Sequence, residues 1–242
     1  MKKQNLLKII FFSSLIYINS EEIEFSSDYM TGTSKESNST TALIGNAFVK
    51  TETMEIKADS IELSGDNFRY ITATGNVSGK NTENQMDFTC GKMKYDRTSK
   101  IANLEDSVHL IDLENDVDAK AQLIEYNQNT DIAIMQIEVS LQQKDNNCTA
   151  AYAIYRKKTQ LLEMNGNPKI IQGKDTFRAQ EISLNLDTQE ITLDGRVRGT
   201  VTDSKETKKE PELPDTNNQN NLQNTESNDK TTITNTVGNK NE

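Results

Sequence analysis

The feature that most constrains this chain is a two-strand unit that returns about every 30 residues. Its clearest copy is residues 177–201, FRAQEISLNLDTQEITLDGRVRGTV. A small residue, Ala179, precedes an alternating run of Ile182, Leu184 and Leu186. Polar Asp187, Thr188 and Gln189 follow, and a second alternating run carries Ile191, Leu193, Gly195, Val197 and Gly199. Period-two alternation broken by turn-forming residues marks two half-buried strands joined by a short connection.

Aligning earlier segments on the second strand gives a grid of expected inward positions. The first column is Ile71, Ala102, Ala133, Leu162 and Ile191, and the second is Ala73, Leu104, Met135, Met164 and Leu193. The third is Gly75, Asp106, Ile137, Gly166 and Gly195, and the fourth is Val77, Val108, Val139, Pro168 and Val197. Successive copies are 31, 31, 29 and 29 residues apart, a period typical of stacked repeats. The first strands align as well, with Leu63, Tyr95, Tyr126, Tyr155 and Leu184 in one column. A small residue stands five positions before each: Ala58, Cys90, Ala121, Ala150 and Ala179. That spacing places a bend or bulge at the small residue, where backbone crowds backbone. A weaker sixth copy precedes these, with Phe25–Met30 as first strand, Leu43, Gly45, Ala47 and Val49 in the second, and Thr31–Thr41 as a long polar loop.

No single unit can hide its apolar face, so the units must stack into two sheets whose inward columns meet. An all-β fold follows. Hydrophobic residues are only 33% of the chain, as expected when each strand buries few positions. The ends of such a stack present unpaired edges on which another chain can pair. Ile191–Val201 is the expected C-terminal edge. If the two sheets part along one side, the space between them is a groove for an alkyl chain.

The formal net charge of −10 and the absence of Trp argue against nucleic acid as a partner, because an acidic surface repels phosphate backbones. Residues 1–20 read as a signal peptide: Lys2 and Lys3, an apolar run from Leu6 to Ile18, then Ser20 before Glu21. The run is short for a membrane span; an uncleaved anchor is the alternative. The protein is therefore expected to be exported and soluble. Residues 21–201 form the repeat domain, and residues 202–242, rich in Asn, Gln, Thr and charge, read as a disordered polar tail. Cys90 and Cys148 are the only cysteines, too few for a disulfide framework, and read as buried or corner thiols.

No motif carries catalysis. His109 is the only histidine and stands at an outward position with no local base partner. The acidic run from Asp112 to Asp118 lacks the glycine of a calcium loop and reads as a solvated connection. The column of Tyr95, Tyr126 and Tyr155 reads as core, since Tyr suits a half-buried strand.

The unit of small residue, apolar pair, polar turn, apolar run and Gly-x-Val stands here as Ala58-Asp59-Ser60-Ile61-Glu62-Leu63 with Ala73-Thr74-Gly75-Asn76-Val77. It recurs as Ala179–Leu184 with Leu193-Asp194-Gly195-Arg196-Val197. This grid resembles the LptA/OstA-like family over roughly Phe25 to Val201, with Asp106 and Pro168 as departures. The resemblance implies a twisted, open β-jellyroll of V-shaped antiparallel strands, here about six two-strand repeats. It implies a periplasmic protein that shields acyl chains of lipopolysaccharide, or another acylated lipid, inside the roll. It also implies partners: similar jellyroll domains of inner- and outer-membrane transport proteins, and further copies of the chain joined head to tail. No enzymatic activity, cofactor or metal is expected. On this reading the lipid-contacting side chains are Leu63, Ile71, Tyr95, Leu104, Val108, Tyr126, Met135, Val139, Met164, Leu184, Leu193 and Val197. A ligand-free structural or adhesive repeat protein would use the same residues as filled core, and a membrane-anchored member of the same pathway would keep its N-terminus.

Overall fold

The computed structural model describes residues 22–33 and 39–202, together with the backbone of Thr232–Ile233. The expected signal peptide lies outside the described residues, as does the tail apart from Thr202 and those two positions.

The chain runs as a nearly uninterrupted antiparallel meander. After β1 (Glu24–Ser26) and β2 (Tyr29–Thr33) come eight long strands: β3 (Thr40–Lys50), β4 (Met54–Ser64), β5 (Tyr70–Asn81), β6 (Met86–Asp96), β7 (Ile101–Asp112), β8 (Val117–Asn127), β9 (Ile132–Gln143) and β10 (Asn146–Arg156). The last rungs are shorter: β11 (Leu161–Asn165), β12 (Lys169–Gln172), β13 (Asp175–Arg178), β14 (Glu181–Asn185), β15 (Ile191–Asp194) and β16 (Arg198–Thr200). A final pair, β17 (Thr232–Ile233), lies on β15. Each long strand pairs with the next along its whole length except at one register shift near its middle.

That shift is the hinge of the fold. In β5, Thr74 pairs with Lys92 and Val77 with Cys90, so two residues of β5 face one of β6. The two are Gly75 and Asn76, and both have positive φ. The same adjacent pair recurs as Gly45-Asn46, Asp106-Ser107, Ile137-Glu138, Gly166-Asn167 and Gly195-Arg196, with φ between 46° and 78° throughout. A two-against-one bulge bends the strand and strengthens its twist. Repeated rung after rung, it folds every strand into a V and the stack into two facing arms. At the ends the V strands are cut at the bend: β1 and β2 pair with the two halves of β3, while β11 and β12 pair with the two halves of β10.

The third column of the sequence grid is therefore the corner, not an inward column. The bulge adds a residue, so Val77 and Gly75 share a parity in sequence but not in space. The bend itself lies beside the small-residue column; the positive φ values fall on the opposite strand. Pro168 follows the Gly166-Asn167 bend between β11 and β12, where the broken ladder asks no N–H of it. The expected Thr31–Thr41 loop is shorter than its sequence suggests, because Thr31, Gly32 and Thr33 pair with Ala42, Thr41 and Thr40 in an antiparallel ladder; residues 34–38 lie outside the described residues.

Between the arms the inward side chains pack into one core cluster. The hairpin turns are set by Asx turns: the side chains of Asn81, Asp96, Asp112, Asn127 and Asn185 each accept the backbone N–H two and three residues on. Successive turns also bond to one another, as Thr82 N–H to Thr53 O at 3.0 Å and Lys157 N–H to Asp131 O at 2.9 Å.

The corner explains one departure from the repeat. A Cβ on Gly75 would run into the Asp59 side chain across the bend. In the next rung the roles are exchanged: Asp106 holds the left-handed position and the residue facing it is Gly91, where a Cβ would sit 2.7 Å from that of Asp106. Ile137 is the exception, a β-branched residue at φ 66° and 52% exposed. Left-handed backbone costs such a residue about 1–2 kcal/mol. Ile137→Gly should therefore raise stability by about 1 kcal/mol, and Gly75→Ala should lower it by more than that. Urea unfolding midpoints check both, and a destabilising Ile137→Gly would refute this account of the corner.

Candidate functional site

The interior is lined as the grid expects. Of the twelve expected lipid-contacting residues, eleven lie in the core cluster: Leu63, Ile71, Tyr95, Leu104, Val108, Tyr126, Met135, Val139, Met164, Leu184 and Leu193. Leu63, Ile71, Tyr95, Leu104, Tyr126, Met135, Met164, Leu184 and Leu193 lie side by side across the paired strands of one arm, while Val108 and Val139, past the bend in β7 and β9, lie in the facing arm. Val197 departs from the expectation: it is 54% exposed. It sits between β15 and β16, on the arm where no strand among the described residues pairs beyond β16.

At the mouth of the V the arms meet through a polar seam that sequence reading missed. The Tyr column points its hydroxyls at it. Tyr95 donates to Gln128 Oε1 at 2.9 Å, Tyr126 to Asp131 Oδ1 at 2.9 Å and Tyr155 to Asp112 Oδ2 at 2.8 Å. Asn84, from the turn between β5 and β6, crosses to the turn between β8 and β9. Its Nδ2 donates to Tyr126 Oη at 2.8 Å, to the Gln128 carbonyl at 3.2 Å and to Asp131 Oδ1. Further along, Lys157 Nζ lies 2.6 Å from Asp112 Oδ1 and 2.8 Å from Glu114 Oε2. Asn146 Nδ2 donates to Gln189 Oε1 at 2.5 Å. Asp112 is 1% and Lys157 6% exposed, so this is a buried ion pair and not the solvated connection expected of residues 112–118.

Burial alone would push the Asp112 carboxyl up, but hydrogen bonds from Lys157, Tyr155 and Asn115 outweigh it and hold the group below its ordinary value. Burial would likewise lower Lys157, and its bonds to Asp112 and Glu114 raise it instead. Burial first, and then the carboxylates they donate to, raise Tyr126 and Tyr155, which stay protonated donors. Three buried seam atoms have no hydrogen-bond partner among the described residues: Asn81 Nδ2, Gln128 Nε2 and Asn146 Oδ1. Each such atom costs roughly 1–3 kcal/mol. A polar cleft of about 580 Å³ opens on the seam, lined by Asn84, Lys100, Glu114, Gln128 and Lys158 among others.

One sequence signal could have found the seam. Asn81, Asp112 and Gln143 continue the inward parity of β5, β7 and β9 with the repeat spacing of 31 residues, and all three are buried. Elsewhere the chemistry is quiet. Cys90 and Cys148 are free thiols, pushed by burial to about 11 and about 12 respectively, and so unreactive. His109 Nε2 pairs with Asp118 Oδ2 at 2.9 Å on the outer face. Among the described residues no His/Cys/Asp/Glu group is placed to hold a metal ion, and no helix is long and apolar enough to cross a membrane.

The described residues thus form an all-β roll with an apolar interior. Comparison with protein families places it more narrowly. Residues 14–151 match the family described as OstA-like protein, and residues 129–190 match that described as LptA/(LptD N-terminal domain) LPS transport protein. The chain belongs to the OstA-like protein family. Among solved structures it is similar to LptH, described as the LptA homologous periplasmic component of the conserved lipopolysaccharide transport device from Pseudomonas aeruginosa. The identity is 11% over 76% of this chain and 96% of that one, and the TM-score of 0.23 is too low to carry an argument. No curated protein matches the chain.

Removing Lys157 leaves the Asp112 charge buried and unpaired, so Lys157→Met should cost about 3–5 kcal/mol. Adding Asp112→Asn should recover most of that loss. The Asp112 contribution is present above its unfolded value of about 4 and is lost as pH falls through the lower folded value. The Lys157 contribution is present below about 10.4 and is lost as pH rises through the higher folded value. The double variant should therefore have a flatter stability profile at both extremes, measured by urea unfolding between acid and alkaline pH. Equal losses in the single and double variants would show the pair to be uncoupled.

Proposed function

We propose that this chain is a periplasmic lipid carrier that shields the acyl chains of lipopolysaccharide, or of a related lipid, between the arms of its roll. On this reading residues 1–20 direct export, residues 21–201 form the carrier and residues 202–242 are an appendage. The carrier stands between similar jellyroll domains of inner- and outer-membrane proteins. The observation that supports this most is the unbroken apolar lining, which runs from Leu63 and Ile71 through Tyr126 and Met135 to Leu184 and Leu193. An alkyl chain laid along it would leave water at about 0.8 kcal/mol per CH₂, with no bond made or broken. The two family matches, which together span residues 14–190, support the same reading.

A ligand-free structural role is the second reading, and the close packing of the same columns supports it. Photo-crosslinkers at Leu104 and Val139 separate the two. The carrier predicts lipid adducts at both and none at outward-facing Lys94. Absence of adducts, with no binding of a fluorescent fatty acid in vitro, would leave the structural role.

End-to-end assembly is supported by exposed apolar side chains at the N-terminal edge, where Tyr29, 61% exposed, sits with Phe25, Met30 and Ile44. At the other end, among the described residues, β16 pairs only with β13, and the edge of β15 carries β17. Truncating an interface aromatic commonly costs more than 1 kcal/mol. Tyr29→Glu should therefore weaken self-association about tenfold in sedimentation velocity while leaving the unfolding midpoint unchanged. Unaltered association would place the contact elsewhere.

A further inference from the structure

The two arms are held together in two different ways. At the back they share every strand from β3 to β10, bent at pairs of left-handed residues. At the mouth they share side-chain contacts from turns: Asn84 to Asp131, Asp112 to Lys157, and Asn146 to Gln189. The ladder hydrogen bonds run along the stack within each arm, and so do the turn-to-turn bonds. Parting the mouth therefore breaks none of them. It exchanges polar side-chain contacts for water, a solvent that satisfies such groups equally well. It also frees Gln128 Nε2 and Asn146 Oδ1, which lack partners when the mouth is closed.

From this we infer that the seam is a latch and that the roll admits an acyl chain sideways, through the mouth, when the latch opens. The inference rests on the carrier reading above. The closed interior requires some such opening, because the lining side chains pack against one another. The placement of the polar groups identifies where it occurs. The interior columns are apolar and the back is continuous backbone, so the line of turns is the boundary that water can enter at least cost. Of the crossing contacts, the one from Asn84 to the Asp131–Tyr126 pair lies between central rungs, far from either open end of the stack. The competing route is threading from those ends, which needs no movement of the seam.

The test bridges the latch. In a Cys90→Ala, Cys148→Ala background, Asn84→Cys and Asp131→Cys are joined with a short, reducible bis-methanethiosulfonate. Uptake of a dansyl-labelled undecanoic acid is then followed by fluorescence, with circular dichroism to check the fold. The bridged protein should take up the probe at least about tenfold more slowly, the change that about 1.4 kcal/mol in a barrier produces, and reductant should restore the rate. Asn84→Asp, which sets two carboxylates against each other, should speed uptake without any bridge. Equal rates with the bridge closed and reduced would overturn the latch and leave end-threading, while the carrier reading stands. No uptake by the wild-type chain under any condition would overturn both.

Discussion

The whole structure depends on six pairs of adjacent left-handed residues, one in each second strand. A flat stack of these strands would leave one apolar face in water, since each arm carries its inward columns on one side only. The bend turns that face onto itself. Left-handed backbone is costly for residues with a Cβ, and the inside of the corner is crowded, so every pair but that of Ile137 has a glycine at one of the two facing positions. The chain meets both conditions with glycine in several ways. Gly75 faces Asp59, Gly166 faces Ala151, and in the rung after Gly75 the glycine has moved to the facing strand, Gly91 against Asp106. The requirement belongs to the pair of positions, so the residue at either one can vary.

Most of the fold was legible in the sequence because period-two alternation and a constant repeat length are direct consequences of stacked strands. Ile71, Leu104, Met135 and Leu184 could be placed without coordinates for that reason. The corner was not legible in the same way. Gly75, Asp106 and Ile137 share the parity of their buried neighbours, and only the extra residue of the bulge moves them out. The seam was hidden by distance. Asp112 looks like part of a solvated acidic turn until Lys157, 45 residues on, is brought against it from the other arm. Val197 failed because a repeat pattern assumes a neighbour, and on its arm no strand among the described residues pairs beyond β16.

The seam sets this roll apart from an ordinary core. Buried ion pairs contribute little net stability against well-packed apolar groups, and a fully connected network would leave no orphan atoms. Here charged, amide and phenolic groups line one edge only, and that edge is incompletely satisfied. The apolar columns supply cohesion, while the polar edge separates two surfaces that would otherwise merge with no defined boundary. It thus fixes where interior ends and solvent begins, which apolar packing alone does not do.

The cut strands at the two ends have a mechanical consequence. In the middle of the stack each strand passes unbroken through the bend, so twisting one arm drags the other. At β1 and β2, and from β11 onward, the arms are carried by separate short strands. The ends are accordingly more compliant than the middle, and each arm there can set its own twist. A stiff central span with two independently adjustable lips confines any change of twist imposed at an end to that end, without transmitting it to the interior.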